Sequence, residues 1–259
     1  MIEVKKSELQ RIAPMFERIY DTVMLSCLQG HMGQVFVDNI ENPNGAILFC
    51  GSFVFIEGKK IEGEIIEYIK IIHNKSGLDR LYIISKVENI GELLEKVYGT
   101  KLSKIRRCAI EKKKEEFDLI KLQSMVNELP EQYQLQRINE ELYYECKKEE
   151  WTLDFISNFN SAKDFLERGI GYVIFHDNRI VSGASSYTIY DEGIEIEIAT
   201  RTEYRRMGLA QVAGAALILE CRKLGLYPSW DAANMASVQL ATKLGYRSLG
   251  PYDTYRLEK

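Results

Sequence analysis

Residues 194–225, IEIEIATRTEYRRMGLAQVAGAALILECRKLG, constrain the fold more than any other stretch of the chain. Ile194, Ile196 and Ile198 alternate with Glu195 and Glu197, the period of a strand. From Gly208 a run of small and apolar residues predicts a helix over 208–224, ended by Gly225. A strand, a short loop and a helix therefore follow one another directly. The start of such a helix gathers backbone N–H groups that no helical carbonyl accepts from, and the macrodipole adds partial positive charge there. An anion site follows from the backbone alone. Gly208 lets the chain come close to a phosphate, and Ala210 leaves the first turn unobstructed. Arg205 and Arg206 add charge-assisted donors.

The neighbouring segments complete an α/β pattern. Residues 172–175 and 180–185 flank the polar turn His176-Asp177-Asn178-Arg179 and read as a hairpin. Residues 161–168 suit a helix capped by Ser161 and stopped at Gly169. After the 208–224 helix come a short strand at 227–230, a helix at 236–244 stopped by Gly245, and a returning strand from Tyr246. This order, ββ–β–α–β–α–β, belongs to a layered α/β fold with a mixed (α+β) sheet, not to a bundle or a sandwich.

On these residues a resemblance can be stated. Arg205-x-x-Gly208-x-Ala210 resembles the pyrophosphate signature of the GNAT superfamily of N-acetyltransferases. The loop follows a strand and opens a helix, as that family requires. Asn234-Met235-Ala236-Ser237, followed by Ala241-Thr242-Lys243-Leu244-Gly245-Tyr246, resembles the family's second motif, in which an Asn begins a helix closed by Lys-Leu-Gly and an aromatic residue. The hairpin at 172–185 is similar to the paired strands that precede the cofactor strand. The resemblance covers roughly residues 172–257. It implies acetyl-CoA as cofactor, with Ile198, Ala199 and Thr200 bonding the pantetheine arm through their backbone. It also implies that Arg205, Arg206, Met207, Gly208, Leu209 and Ala210 cradle the pyrophosphate. Asn234 is expected at the pantetheine or thiol end as well as at the N-cap of its helix, and Ser237 beside the cofactor.

Acyl transfer from a thioester to an amine needs a neutral amine and a stabilised oxyanion. Glu195 and Glu197 project from one face of the strand and the isoleucines from the other. Unpaired carboxylates are costly to bury, and mutual repulsion raises the pKa of one of a pair. Both are therefore candidates for the base or the amine binder, with Glu197 preferred because it lies nearer the cofactor end. The competing reading has them facing solvent or pairing with arginines. Many relatives place a Tyr just before Lys-Leu-Gly to protonate the leaving thiolate, whereas this chain has Ala241. Ser237, Tyr252 or Tyr255 would then serve as the acid, or the thiolate leaves unassisted. The departure keeps a second reading open, a non-catalytic acyl-CoA sensor or interaction protein.

A net charge of −4 and a pI near 5.6 give no electrostatic case for nucleic acid or an anionic membrane surface. The five cysteines are scattered without CxxC spacing and read as reduced, buried thiols. His31, His73 and His176 lack metal-ligand spacing, so no metal site is expected. The N-terminus has charges where a signal peptide needs an apolar core, and no run long enough to cross a bilayer follows, so a cytoplasmic location is expected.

The first half carries no recognisable chemistry. Residues 5–27 read as helices, QVFVDNI and AILFCGSFVFIEG as a hairpin around Asn42-Pro43-Asn44-Gly45, 81–85 as a strand, 90–98 as a helix and 101–109 as a strand. Gly51 reads as a bulge glycine, the charge run 111–116 as a solvated face, 111–134 as a hinge and 131–146 as a helix. We expect a smaller α/β N-terminal domain over 1–125, one reading of which is a degenerate GNAT-like half, and a GNAT-like acetyltransferase domain over 126–259. The whole arrangement resembles a two-part GNAT branch associated with antibiotic self-protection. That resemblance implies a small-molecule amine as acceptor, and relatives of this kind often form homodimers.

Overall fold

The computed structural model describes residues 1–113 and 117–259. Among them the strands run in chain order as β1 (Ile2–Glu3), β2 (Gln34–Val37), β3 (Gly45–Cys50), β4 (Phe53–Gly58), β5 (Arg80–Ser85), β6 (Leu102–Ile110), β7 (Gln134–Arg137), β8 (Gly171–His176), β9 (Arg179–Tyr190), β10 (Gly193–Thr200), β11 (Tyr227–Ser229), β12 (Asp231–Ala232) and β13 (Ser248–Glu258). Two compact units result, Met1–Arg107 with Tyr252–Lys259, and Cys108–Pro251. The expected division between residues 125 and 126 falls inside a helix, Leu119–Asn127.

In the first unit β1 to β4 pair antiparallel in succession, and β5 lies parallel to β4. The end of β13 closes on β5, antiparallel, from Tyr255↔Ile83 to Glu258↔Arg80. A parallel pair needs a crossover, and here it is the helix Gly63–Ser76. Ile65, Ile66, Ile69 and Ile72 recur on its buried stripe and pack with Ile47, Val54, Ile56, Leu81 and Ile83 of the sheet.

The second unit repeats this order. β7 to β10 pair antiparallel in succession, and β11 lies parallel to β10. The crossover is the helix Leu209–Lys223, buried along Val212, Ala213, Ala215, Ala216 and Leu217. Its small residues let it sit close to the sheet: a Cβ on Gly214 would lie 3.1 Å from Ile198 Cδ1 and 2.8 Å from Leu244 Cδ1. The parallel pair begins at Gly193↔Tyr227, where any Cβ would collide with the Tyr227 carbonyl. The mixed α/β fold is therefore present in both units.

Several local expectations are corrected. Residues 131–146 are not one helix: Gln134–Arg137 is a polar strand that pairs β8, and the helix is Glu140–Cys146, capped by Asn139. Edge pairing satisfies the backbone there without needing an apolar pattern. The hinge at 111–134 contains the helix Leu119–Asn127, which buries Leu122 and Met125 and is capped by Asp118. The apolar run 46–58 folds as two strands, with Gly51 (φ 55°) in the turn closed by Cys50↔Phe53 rather than in a bulge. Residues 5–27 break into short turns and helices around Pro14 and Asp21. The charge run expected as a solvated face lies in part, at Lys114, Glu115 and Glu116, outside the described residues.

Candidate acyl-transfer site

The site grows from the mismatch in length between β10 and β11. Their parallel pairing ends at Glu195↔Ser229, while β10 continues to Thr200 alongside β9. Arg201 N–H donates to the Val181 carbonyl at 2.9 Å. Alternate residues of an antiparallel ladder face the partner strand. Glu197 and Ala199 thus turn their backbone groups to β9, while Ile198 and Thr200 turn theirs to the side that β11 has left. There the Thr200 carbonyl accepts from Arg205 Nε at 3.2 Å. Such an edge can bond an extended, amide-bearing chain as an added strand.

Beyond Thr200 the chain makes a 3-10 turn at Thr202–Tyr204 and reaches Gly208 through two left-handed residues, Arg206 (φ 64°) and Gly208 itself (φ 80°). A left-handed arginine is strained, and such strain concentrates at functional loops. Gly208 occupies the N-cap without a side-chain acceptor, and the first turn holds no acid. Gln211 and Val212 N–H both return to the Gly208 carbonyl, at 3.0 and 3.2 Å, so the preceding N–H groups point out of the helix end. A Cβ on Gly208 would meet nothing within 4 Å. Arg205, Arg206 and Met207 are exposed around this open space. Tyr133 braces the loop by donating to Met207 Sδ at 3.6 Å, and Tyr204 Oη lies 3.1 Å from His176 Nδ1. An open strand edge leading into an uncapped, basic helix start fits an amide-bearing chain ending in a pyrophosphate.

The helix Met235–Lys243 starts at Asn234, whose Oδ1 accepts the Ser237 N–H at 3.0 Å. Ala241 is fully buried, and Tyr255 packs against Gly91 in the first unit, its hydroxyl oxygen 2.5 Å from where a Cβ would stand.

Cross-strand partners share a face. Glu197 pairs with Ser185 and Ala199 with Gly183; Ser185 Oγ donates to the Phe155 carbonyl at 2.7 Å, and a Cβ on Gly183 would lie 2.8 Å from the Phe155 ring. Ile198 meets the Leu209–Lys223 helix instead. Glu197 therefore lies on the face away from that helix, and a register shift between Glu195 and Ile196 separates Glu195 from this pairing. Glu195 is buried beside the still-closed strand pair; burial above all, then the nearby Tyr227 and Cys221 and the Glu195 charge, push the Tyr246 hydroxyl up. Glu197 is half-buried and two residues beyond the last pair of β10 with β11, Glu195↔Ser229.

The pairing of Arg201 with Glu149 has no signal in the sequence. Arg201, on the Glu197 face, bonds both carboxylate oxygens of Glu149 and lies 5.5 Å over the Trp151 ring. The Trp151 indole N–H, 2.9 Å from Glu149, and the guanidinium together hold the Glu149 carboxyl below its ordinary range. Residues 149 and 201 are too far apart in sequence for spacing to link them. Among the described residues no group of three or more His, Cys, Asp or Glu could hold a metal, and no helix is long and apolar enough to cross a membrane.

The fold and this strand–loop–helix joint define a mixed α/β protein with an anion-binding helix start, and comparison with known proteins gives the family. A model of GNAT acetyltransferases matches residues 13–255, and the chain belongs to that family. An uncharacterized N-acetyltransferase of Bacillus subtilis, YdfB, is 27% identical over 270 residues, spanning 98% of this chain and 97% of that protein. The crystal structure of a GCN5-related N-acetyltransferase-like protein from Streptococcus suis matches with a TM-score of 0.89 at 38% identity, covering 97% of this chain and 99% of that one. A GCN5-related N-acetyltransferase from Kribbella flavida shares the fold, with a TM-score of 0.56 at 13% identity over 96% and 95% of the two chains. The match extends well beyond residues 172–257, where the motifs lie, and takes in the first unit.

Proposed function

We propose that this N-acetyltransferase moves an acetyl group from acetyl-CoA to the primary amine of a small molecule, with Glu197 accepting the amine's proton. The observation that carries the proposal is the open edge of β10 running into the uncapped start of Leu209–Lys223. Backbone groups of Ile198 and Thr200 would hold the pantetheine amides, with Ala199 keeping the adjoining face free of bulk. Arg205, Arg206, Met207, Gly208, Leu209 and Ala210 would surround the pyrophosphate, and Asn234 and Ser237 would flank the arm. Acetyl-CoA, when bound, supplies the activated thioester.

Glu197 takes a proton from the ammonium form of the acceptor, so that the nitrogen lone pair becomes available. The outward N–H groups of β10 are the donors available to the acyl oxygen. Glu195, deeper along β10, adds negative charge that favours a cationic acceptor, and Trp151 held by Arg201 supplies a flat wall on the Glu197 face. With Ala241 lacking a hydroxyl, the thiolate leaves unassisted, as a thiol of moderate pKa permits.

The test is a thiol-release assay over a panel of small amines, with wild type, Glu197→Gln and Glu195→Gln, alongside acetyl-CoA titration of each. Glu197→Gln is expected to lose about 10²–10⁴-fold in kcat with cofactor affinity unchanged. Full turnover in Glu197→Gln would remove it as the base. Acetyl-CoA binding without turnover of any amine by wild type would favour the alternative, a non-catalytic acyl-CoA sensor.

A further inference from the structure

The first unit has the same parallel pair as the second, but it finishes it differently. β4 and β5 pair from Phe53↔Tyr82 to Ile56↔Ser85 and then part. In the second unit the position past the pair leaves a strand edge open. In the first, the fully buried side chain of Glu57 occupies it: one oxygen accepts the Lys86 N–H at 2.7 Å, and the other accepts from Arg18 Nη2 at 2.5 Å and Nε at 3.2 Å. The loop that follows, Lys59-Lys60-Ile61-Glu62, has neither glycine nor arginine, and Glu62 and Glu64 stand at the start of the Gly63–Ser76 helix. Acids at a helix N-terminus compete with a bound phosphate for the same N–H groups and dipole.

A cleft of about 840 Å³ nevertheless opens at this spot. Its volume lies in the range of small-molecule sites, and it sits at the carboxyl ends of parallel strands, where open α/β sheets take ligands. Met15, Ile61, Val87 and Leu93 give it apolar walls. Arg18 lines it with a side chain 56% exposed, one edge of its guanidinium fixed by Glu57. A guanidinium carries five N–H donors in a fixed fork, so an arginine anchored on one edge keeps donors for a second carboxylate. Lys59 and Lys60 add positive charge there, Lys60 already paired with Glu62 at 2.5 Å, while Glu17 and Glu88 oppose it. The opposing acids disfavour a multiply charged ligand such as a pyrophosphate.

We propose that this cleft binds a small-molecule monocarboxylate with an apolar body, its carboxylate on Arg18, and that it is not a second coenzyme A site. Removing Arg18 would strand a buried carboxylate and risk unfolding, so the measurement is made on the intact wild-type chain. Phenylglyoxal modification of the Arg18 peptide is followed by mass spectrometry with hexanoate or phenylacetate as probe. A dissociation constant near 1 mM would slow modification about tenfold at about 10 mM probe. Hexanamide, which has no charge, should give no protection, and the exposed-site variant Lys59→Glu should need more hexanoate for the same effect. Absence of protection by both carboxylates, equal protection by inorganic phosphate, or protection by acetyl-CoA would each overturn the proposal.

Discussion

At residue 208 the backbone is left-handed, and the space beside it is empty, so the two uses of glycine can be separated by substitution. Gly208→Ala adds only a methyl in open space but forces a side chain into a left-handed conformation, at a cost of about 1–2 kcal/mol. It is expected to lower the unfolding midpoint slightly, which reads the backbone cost, and to weaken acetyl-CoA binding, which reads the space the methyl takes from the pyrophosphate. Asn234 can be divided in the same way. Asn234→Ala loses the hydrogen bond to Ser237 N–H and about 1 kcal/mol of stability, whereas Asn234→Asp keeps the cap. If Asn234 also touches the cofactor, Asn234→Asp weakens acetyl-CoA binding without a loss in thermal stability; unchanged binding would leave it as a cap alone. All five cysteines are free and buried, and burial pushes the Cys146 and Cys221 thiols up to about 12. A native chain mixed with Ellman's reagent at pH 8 should therefore show no fast-reacting thiol until it is unfolded. The loop residues were legible in sequence because Gly208 and its arginines are a local pattern. The Arg201–Glu149–Trp151 contact was not, because it joins distant segments through a side-chain geometry that no spacing encodes.

Elements were legible where periodicity and a stop signal coincided. The strand, loop and helix from residue 193 to 223 and the Ser161-capped helix Ala162–Arg168 fall close to where apolar pattern, cap and glycine place them. β3 and β4 read as one run in the sequence because nearly every residue of both is buried, so neither shows the alternation that marks a half-buried strand. β7 reads as helix in the sequence because it is a polar edge strand, held by pairing with β8 and not by an apolar face. The element most sensitive to a single change is the parallel pair that frames the site. Gly193→Val would drive a side chain into the Tyr227 backbone. Such overpacking should cost about 1–3 kcal/mol in urea unfolding, with cofactor binding weakened in step. A variant as stable as wild type would show that β11 can shift without loss.

At the scale of the chain, one strand order occurs twice: four antiparallel neighbours, then a parallel pair bridged by a helix. The motifs that carry the family resemblance lie in the second unit, and the first unit has no such signal because Glu57 and the N-cap Glu62 stand where the second unit has an open edge and the N-cap glycine. The family match over residues 13–255 shows that both units belong to one protein type. A chain built this way should take one acetyl-CoA, in its second unit. The direct measurement is calorimetric titration of acetyl-CoA into wild type and into Gly208→Trp, with circular dichroism to confirm that the variant is folded. One site per chain with a dissociation constant on the order of micromolar is expected for wild type, and its loss is expected in the folded variant. No binding by wild type, or undiminished binding by Gly208→Trp, would contradict the assignment of the cofactor to the start of the Leu209–Lys223 helix.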